Sequence, residues 1–292
     1  MAHIAIEDNV TIDGISYEIP NMFLFAGKVK SGKSFALRYM VQEIIKQNKF
    51  KFGWVFCKTA FNGSYDWMKP NVTTGYSERV LMKHMGILRR KREELGRNMP
   101  PNFIIFDDLI GELNPNNQIF NNLITTFRHY NTSIFLATQF IKGNITKPVF
   151  REQVRYVFCW PNGGVANDKN LFDSFASSFF ENARQLKTYF KAITDDQETK
   201  KHFAMLVDTS AHNLRQGIKR FQAGKIDEVS LWAETKQQEK QENDDQPTQR
   251  QPPQQRRPQQ ELERDDPTRD LSHMNHAQKV QYYKQYLLKS RG

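Results

Sequence analysis

Residues 27–34 read Gly-Lys-Val-Lys-Ser-Gly-Lys-Ser, the pattern G-x-x-x-x-G-K-[ST]. This string constrains the fold strongly, because it works only where a buried strand passes through a tight turn into a helix. Both flanks fit. Met22-Phe23-Leu24-Phe25-Ala26 is a short apolar run suited to a buried parallel strand, and Phe35-Ala36-Leu37-Arg38-Tyr39-Met40-Val41 has helical apolar spacing. Strand, turn and helix together aim backbone N–H groups and a helix N-terminus at one anion. Gly27 and Gly32 let the backbone wrap phosphates, Lys33 reaches the β/γ-phosphates, and the Ser34 hydroxyl binds Mg²⁺. With Lys28, Val29, Lys30 and Ser31 inside the turn and Phe35 directly after it, residues 27–35 form the expected nucleotide-binding set.

The rest of the chain alternates in the way a doubly covered parallel sheet requires. Continuous apolar runs predict strands at 22–26, 52–57, 103–107, 133–138, 154–160 and 203–207. Helical spacing predicts helices at about 33–47, 77–97, 117–129 and 168–186, with Ser77 and Glu78 marking a helix start. Ahead of this core, Val10-Thr11-Ile12 and Ile15-Ser16-Tyr17 flank Asp13-Gly14, a hairpin signal within residues 1–20. The P-loop domain is expected over residues 21–235. Beyond it Gln, Pro, Arg, Asp and Glu dominate from 236 to 270, too polar to offset ordering entropy, so this segment is expected to be a disordered linker. Ala277, Val280, Tyr283 and Leu287 then fall on one face of a terminal helix within 271–292.

The second chemical signal is Phe103-Ile104-Ile105-Phe106-Asp107-Asp108, a buried strand ending in acids. Asp107 is placed in the Mg²⁺ shell and Asp108 beside the γ-phosphate, where it polarises the attacking water; Glu112 is the rival base. The third is Ser133-Ile134-Phe135-Leu136-Ala137-Thr138-Gln139. If this strand lies between the phosphate-loop strand and the acidic strand, Gln139 stands beside the γ-phosphate and can sense it or orient water. Arg128 is the first candidate for an arginine finger, with Arg151 and Arg155 as alternatives. Arg89-Arg90-Lys91-Arg92 reads either as a phosphate-contacting patch or as a solvated face, since Glu93 and Glu94 follow. Lys58 and Thr59 end the second strand on the edge where ligands are contacted.

A net charge of +10 over 292 residues favours a polyanionic partner. The two cysteines, Cys57 and Cys159, fall in apolar runs and are expected as buried free thiols in a reducing compartment. His273 and His276 lack further ligand types and are read as solvated. No apolar run approaches the ~18 residues of a membrane span and no signal peptide is visible, so a soluble intracellular protein without a membrane partner is expected.

Taken together, the phosphate loop, Ile-Ile-Phe-Asp-Asp-Leu and Arg-His-Tyr-Asn-Thr-Ser-Ile-Phe-Leu-Ala-Thr-Gln resemble the DNA-packaging ATPases of eukaryotic DNA viruses, within the FtsK/HerA superfamily. The resemblance covers roughly residues 20–210 and implies an α/β RecA-like core with a strand added between the phosphate-loop and acidic strands. It implies ATP and Mg²⁺, with Lys33 and Ser34 on the nucleotide and metal, Asp107 in the metal shell, Asp108 as catalytic acid, Gln139 as sensor and Arg128 as a finger. It also implies a ring of five or six copies threading double-stranded DNA into a capsid, in the host nucleus or cytoplasm and in association with the virion, with the C-terminal tail docking to capsid or portal. No fused nuclease domain is visible after residue 210. Two rivals stand: a nucleotide-kinase-type phosphotransferase, and a non-hydrolysing nucleic-acid-binding virion protein.

Overall fold

The computed structural model describes residues 19–47, 49–109, 117–161, 165–194 and 203–226. The hairpin expected before residue 20, the linker, the terminal helix and Glu112 lie outside the described residues.

β1 (Met22–Ala26) is wholly buried, as an unbroken apolar run demands. It occupies the interior of an eight-stranded sheet. The other strands are β2 (Phe52–Cys57), β3 (Val72–Thr74), β4 (Asn102–Asp107), β5 (Thr132–Thr138), β6 (Val154–Cys159), β7 (Ala204–Asp208) and β8 (Ile218–Phe221). Their spatial order is β3-β2-β4-β5-β1-β6-β7-β8. The first six run parallel, while β7 and β8 pair antiparallel at one end.

Side chains alternate across β1 and divide the core in two. Met22, Leu24 and Ala26 face a layer containing Leu81 and Leu88 of α2 (Glu78–Leu95) and Phe120, Leu123 and Ile124 of α3 (Gln118–Thr126). Phe23 and Phe25 face α1 (Lys33–Lys46), which buries Ala36, Leu37, Met40, Val41 and Ile44 against them. On this second face the cross-strand neighbours are aromatic. Phe23 stacks on Phe135 at 4.6 Å between ring centroids, and Phe25 on Phe158 at 4.7 Å. Such pairs are each worth roughly 0.5–1.5 kcal/mol beyond the area they bury.

The predicted strands hold within a residue or so at each end. Ser77 caps α2 by accepting from the Val80 N–H, as its sequence position suggests. Two predicted helices are cut short. After α3 the chain tightens into a 3₁₀ turn (Phe127–Tyr130) and leaves through Asn131 at φ 47°, a conformation asparagine tolerates. The helix expected over 168–186 is instead α5 (Val165–Leu171), a π-turn (Phe172–Ala176), a break, and α6 (Ala183–Thr194). Asn182 in that break accepts from the Gln185 N–H, a side-chain bond that starts a new helix in place of continuing the old one. β3 and β8 went unpredicted because three and four residues of mixed polarity give no periodicity. Two further four-residue helices, α4 (Pro148–Arg151) and α7 (Leu214–Gly217), complete the description. Cys57 and Cys159 are buried free thiols, as expected. No helix among the described residues is long and apolar enough to cross a membrane.

His84 of α2 lies against the Trp54 ring at 4.4 Å and edge-on to Phe56 at 5.9 Å. Burial, helped by the Lys83 charge, pushes its pKa down from 6.5 to about 4. The unfolded chain therefore takes up a proton on His84 that the fold refuses. The stability it contributes is complete above pH 6.5 and is lost as pH falls from 6.5 towards about 4. A His84→Gln variant should show a smaller drop in melting temperature across that window than the parent, measured by thermal melts at both ends.

Candidate active site

The C-terminal ends of β1, β5 and β6 align, with Ala26 in register with Thr138 on one side and Cys159 on the other. β4 ends on the same edge, since β5 bridges it to β1. The expected insertion is therefore present: β5 stands between the phosphate-loop strand and the acidic strand. The chain leaving β1 is stitched to both neighbours. The Gly27 N–H donates to the Thr138 carbonyl at 3.1 Å and the Trp160 N–H donates to the Ala26 carbonyl at 2.9 Å. Gln139 directly follows Thr138 and so stands next to the loop.

The loop is shaped by necessity at particular residues. A Cβ on Gly27 would stand 2.6 Å from Ser31 Oγ and 2.9 Å from Trp160 Cβ, which only a shift of the turn could relieve. Lys30 at φ 64° and Gly32 at φ 95° both take the left-handed conformation. α1 begins directly afterwards with no side-chain cap and no acidic residue in its first turn. Its first N–H groups are orphans of the kind an anion satisfies. Ser31 Oγ is buried without a hydrogen-bond partner among the described residues. Lys33 is 7 % exposed and forms no ion pair among them. A buried ammonium without an anion is costly. An uncapped helix, an orphaned hydroxyl and an unpaired lysine on one turn fit a phosphate chain. Lys28 and Val29 at the tip are exposed.

Ser34 and Asp107 meet: the Ser34 hydroxyl donates to Asp107 Oδ1 at 3.0 Å. Asp107 Oδ2 accepts from the Tyr65 hydroxyl at 2.8 Å. Burial raises the Asp107 pKa, opposed by these two hydrogen bonds and by the Lys33 charge, while Asp108 next to it raises it further. Among the described residues no three His, Cys, Asp or Glu cluster as a closed metal cage. The donor set of one hydroxyl and one carboxylate beside a phosphate loop suits Mg²⁺, which keeps waters and shares substrate phosphates. Asp108 turns the chain at φ 55° just past β4 and is half-exposed on the same edge.

Beside the loop lies a cavity of about 340 Å³ lined by Lys30, Gly32, Phe35, Ala36, Trp160, Gln222 and Ala223. Phe35 thus borders a space of ligand size, as its place after the loop suggested. Trp160, Gln222 and Ala223 were not foreseen: Trp160 follows a strand as any edge residue might, and the other two come from beyond β8. Tyr65 was missed for the same reason, being one aromatic in a stretch without periodicity.

The arginines do not join this edge. Arg128 precedes β5, whose seven residues span ~20 Å at the usual rise, so it lies at the opposite end of the sheet. There it donates to the Gln153 side chain and, at 3.3 Å, to the Gln153 carbonyl, with its guanidinium 4.6 Å from the Phe127 ring centroid. Arg151 reaches the Asp173 carbonyl at 3.4 Å, and Arg155 lies 3.7 Å from Asp208, both at that same end. In the basic run of α2, Arg92 donates to the Gly96 carbonyl and Lys91 lies over the Phe52 ring, while Arg89 and Arg90 are exposed.

No protein-family model matches this sequence, and none of the curated proteins does. Solved structures do share its fold. The genome packaging NTPase B204 from Sulfolobus turreted icosahedral virus 2, solved with sulfate, aligns with a TM-score of 0.51 over 72% of this chain and 100% of its own, at 12% identity. The pCW3 conjugation coupling protein TcpA, in its monomer form with ATPγS, gives 0.53 over 74% of this chain and 65% of its own, at 15% identity. The cytoplasmic domain of the Thermomonospora curvata type VII secretion ATPase EccC gives 0.50 over 71% of this chain and 26% of its own, at 16% identity. The chain thus corresponds to part of TcpA and of EccC. The likeness is one of fold: an α/β, RecA-like P-loop NTPase architecture.

Replacing Lys33 by Ala removes a buried, unpaired charge. The variant should melt at or above the parent temperature yet lose binding of a fluorescent ATP analogue. Unchanged binding with a lower melting temperature would make Lys33 a structural residue.

Proposed function

We propose that this chain is an ATPase of the FtsK/HerA type that drives double-stranded DNA in genome packaging. The observation that carries the reading is the order β4-β5-β1, which brings Asp107, Asp108, Gln139 and the phosphate loop to one edge. The fold shared with a viral genome packaging NTPase and with conjugation and secretion ATPases supports it. Net charge +10 suits a polyanionic track.

In this reading residues 27–35 hold the triphosphate, with Lys33 at the β/γ-phosphates. Bound Mg²⁺ would supply neutralisation of phosphate charge, held by the Ser34 hydroxyl and, through water, by Asp107. Asp108 accepts a hydrogen bond from the attacking water and polarises it; Gln139 orients that water or reports on the γ-phosphate. The Phe35 and Gln222 cavity receives the nucleoside end. Arg128, distant from the loop of its own chain, acts only on the nucleotide of a neighbouring copy in a ring of five or six. The polar C-terminal tail from residue 236 docks the motor to capsid or portal.

ATP turnover stimulated by double-stranded DNA is the deciding measurement. Turnover indifferent to DNA but dependent on a small-molecule acceptor would favour a phosphotransferase, and absent turnover a binding protein. Asp108→Asn should keep nucleotide binding and lower turnover by ~10²–10⁴. If Glu112→Gln has that effect instead, the base is Glu112.

DNA binding should ignore sequence and weaken with salt, log affinity falling with log salt at a slope near −0.9 per phosphate contacted. A flat salt response in a fluorescence anisotropy titration would contradict a translocase. Mixed rings of Arg128→Ala and Lys33→Ala subunits should regain partial turnover if the arginine serves a neighbour's site.

A further inference from the structure

Both oxygens of Asp107 are occupied within the protein. Oδ1 accepts from Ser34, on the helix that follows the phosphate loop, and Oδ2 accepts from Tyr65. Tyr65 is 1% exposed and belongs to the connection from β2 to β3, far from either acidic residue in sequence. That connection is not a loose loop. It holds two 3₁₀ turns, Ala60–Asn62 and Asp66–Met68, on either side of Tyr65. The Ser64 N–H donates to Asn62 Oδ1 at 2.9 Å and the Asp66 N–H to the Gly63 carbonyl at 3.1 Å. Met68 is buried against the same core, and beyond it the Val55 N–H of β2 donates to the Asn71 carbonyl. Arg38, one turn into α1 past Ser34, donates to the Ser64 carbonyl at 3.1 Å. The residue next to Tyr65 is thus anchored on the same helix that carries Ser34.

A carboxylate held at one oxygen can still swing about its Cβ–Cγ bond; held at both, it keeps one plane. We propose that Tyr65 is a positioning residue for the divalent-cation site, its hydroxyl fixing Asp107 so that the carboxylate presents Oδ1 to Ser34 and the phosphate loop. Arg38 supports Tyr65 from behind by holding Ser64. The proposal rests on the ATPase reading above. A tyrosine present only to fill the core would need some partner for its buried hydroxyl, but its loss would leave cation binding unchanged. Hydrogen bonds to the groups that hold a metal are worth more: their removal commonly lowers metal affinity 10–100-fold.

The test uses the full-length chain and a fluorescent ATP analogue, titrated with Mg²⁺ and, separately, in excess EDTA. Tyr65→Phe keeps the ring and removes only the hydroxyl. Its half-saturating Mg²⁺ should rise ~10–100-fold, with binding in EDTA equal to the parent's. Arg38→Met should move the Mg²⁺ curve the same way by less, and adding it to Tyr65→Phe should give no further shift, because both act through one hydroxyl. Parent-like Mg²⁺ dependence in Tyr65→Phe would overturn the proposal, as would an equal loss of binding with and without Mg²⁺. Should Tyr65→Phe not fold, an unchanged Mg²⁺ curve in Arg38→Met overturns it. A parent protein whose analogue binding ignores Mg²⁺ would overturn the ATPase reading and the proposal together.

Discussion

The pairing of β1 between β5 and β6 is the constraint on which the rest depends. One backbone bond, from the Gly27 N–H to the Thr138 carbonyl, ties the first residue of the phosphate loop to the end of β5. Another, from the Trp160 N–H to the Ala26 carbonyl, ties the residue before the loop to the end of β6. With both sides of β1 occupied, the loop can begin only at this edge. The same register delivers Gln139 and Trp160 to it. The acids arrive one strand further out, because β4 pairs with β5 and not with β1. The chemistry of the edge is thus a consequence of backbone hydrogen bonding, which is indifferent to the side chains it transports.

The edge also concentrates strain. Among the described residues three non-glycine positions have positive φ, and two of them, Lys30 and Asp108, belong to the candidate site. Each such residue costs on the order of 1–3 kcal/mol. Lys33 is buried and forms no ion pair among the described residues. The strands that lead to this edge carry an aromatic layer, where Phe23, Phe25, Phe135 and Phe158 stack across three adjacent strands.

Most of this was legible in the sequence because buried parallel strands write themselves as unbroken apolar runs. β1, β2, β4, β5, β6 and β7 were found that way, and the loop motif fixed the junction after β1. The placement of β5 between β1 and β4 was inferred from resemblance and not from pattern, since strand order leaves no periodic trace. What escaped had no local signature. β3 and β8 are short and mixed in polarity, the α5–α6 break depends on one asparagine, and Tyr65 matters only through Asp107, 42 positions away. The arginines are a separate case. Arg128 lies four positions before Thr132, the first residue of β5, so the whole strand separates it from the loop of its own chain. A strand is long, and its two ends face different surroundings.

The partners of β1 come from far along the chain. The Asn21 N–H donates to the Ser133 hydroxyl across 112 positions, and β6 begins later still at Val154. At a synthesis rate of ~5–20 residues per second, β1 and the loop motif precede both pairing partners by several seconds. An apolar strand with both edges open is a template for pairing with other chains. The segment that carries the loop motif is therefore also exposed to misassembly during synthesis. The sheet closes over it only when β5 and β6 arrive.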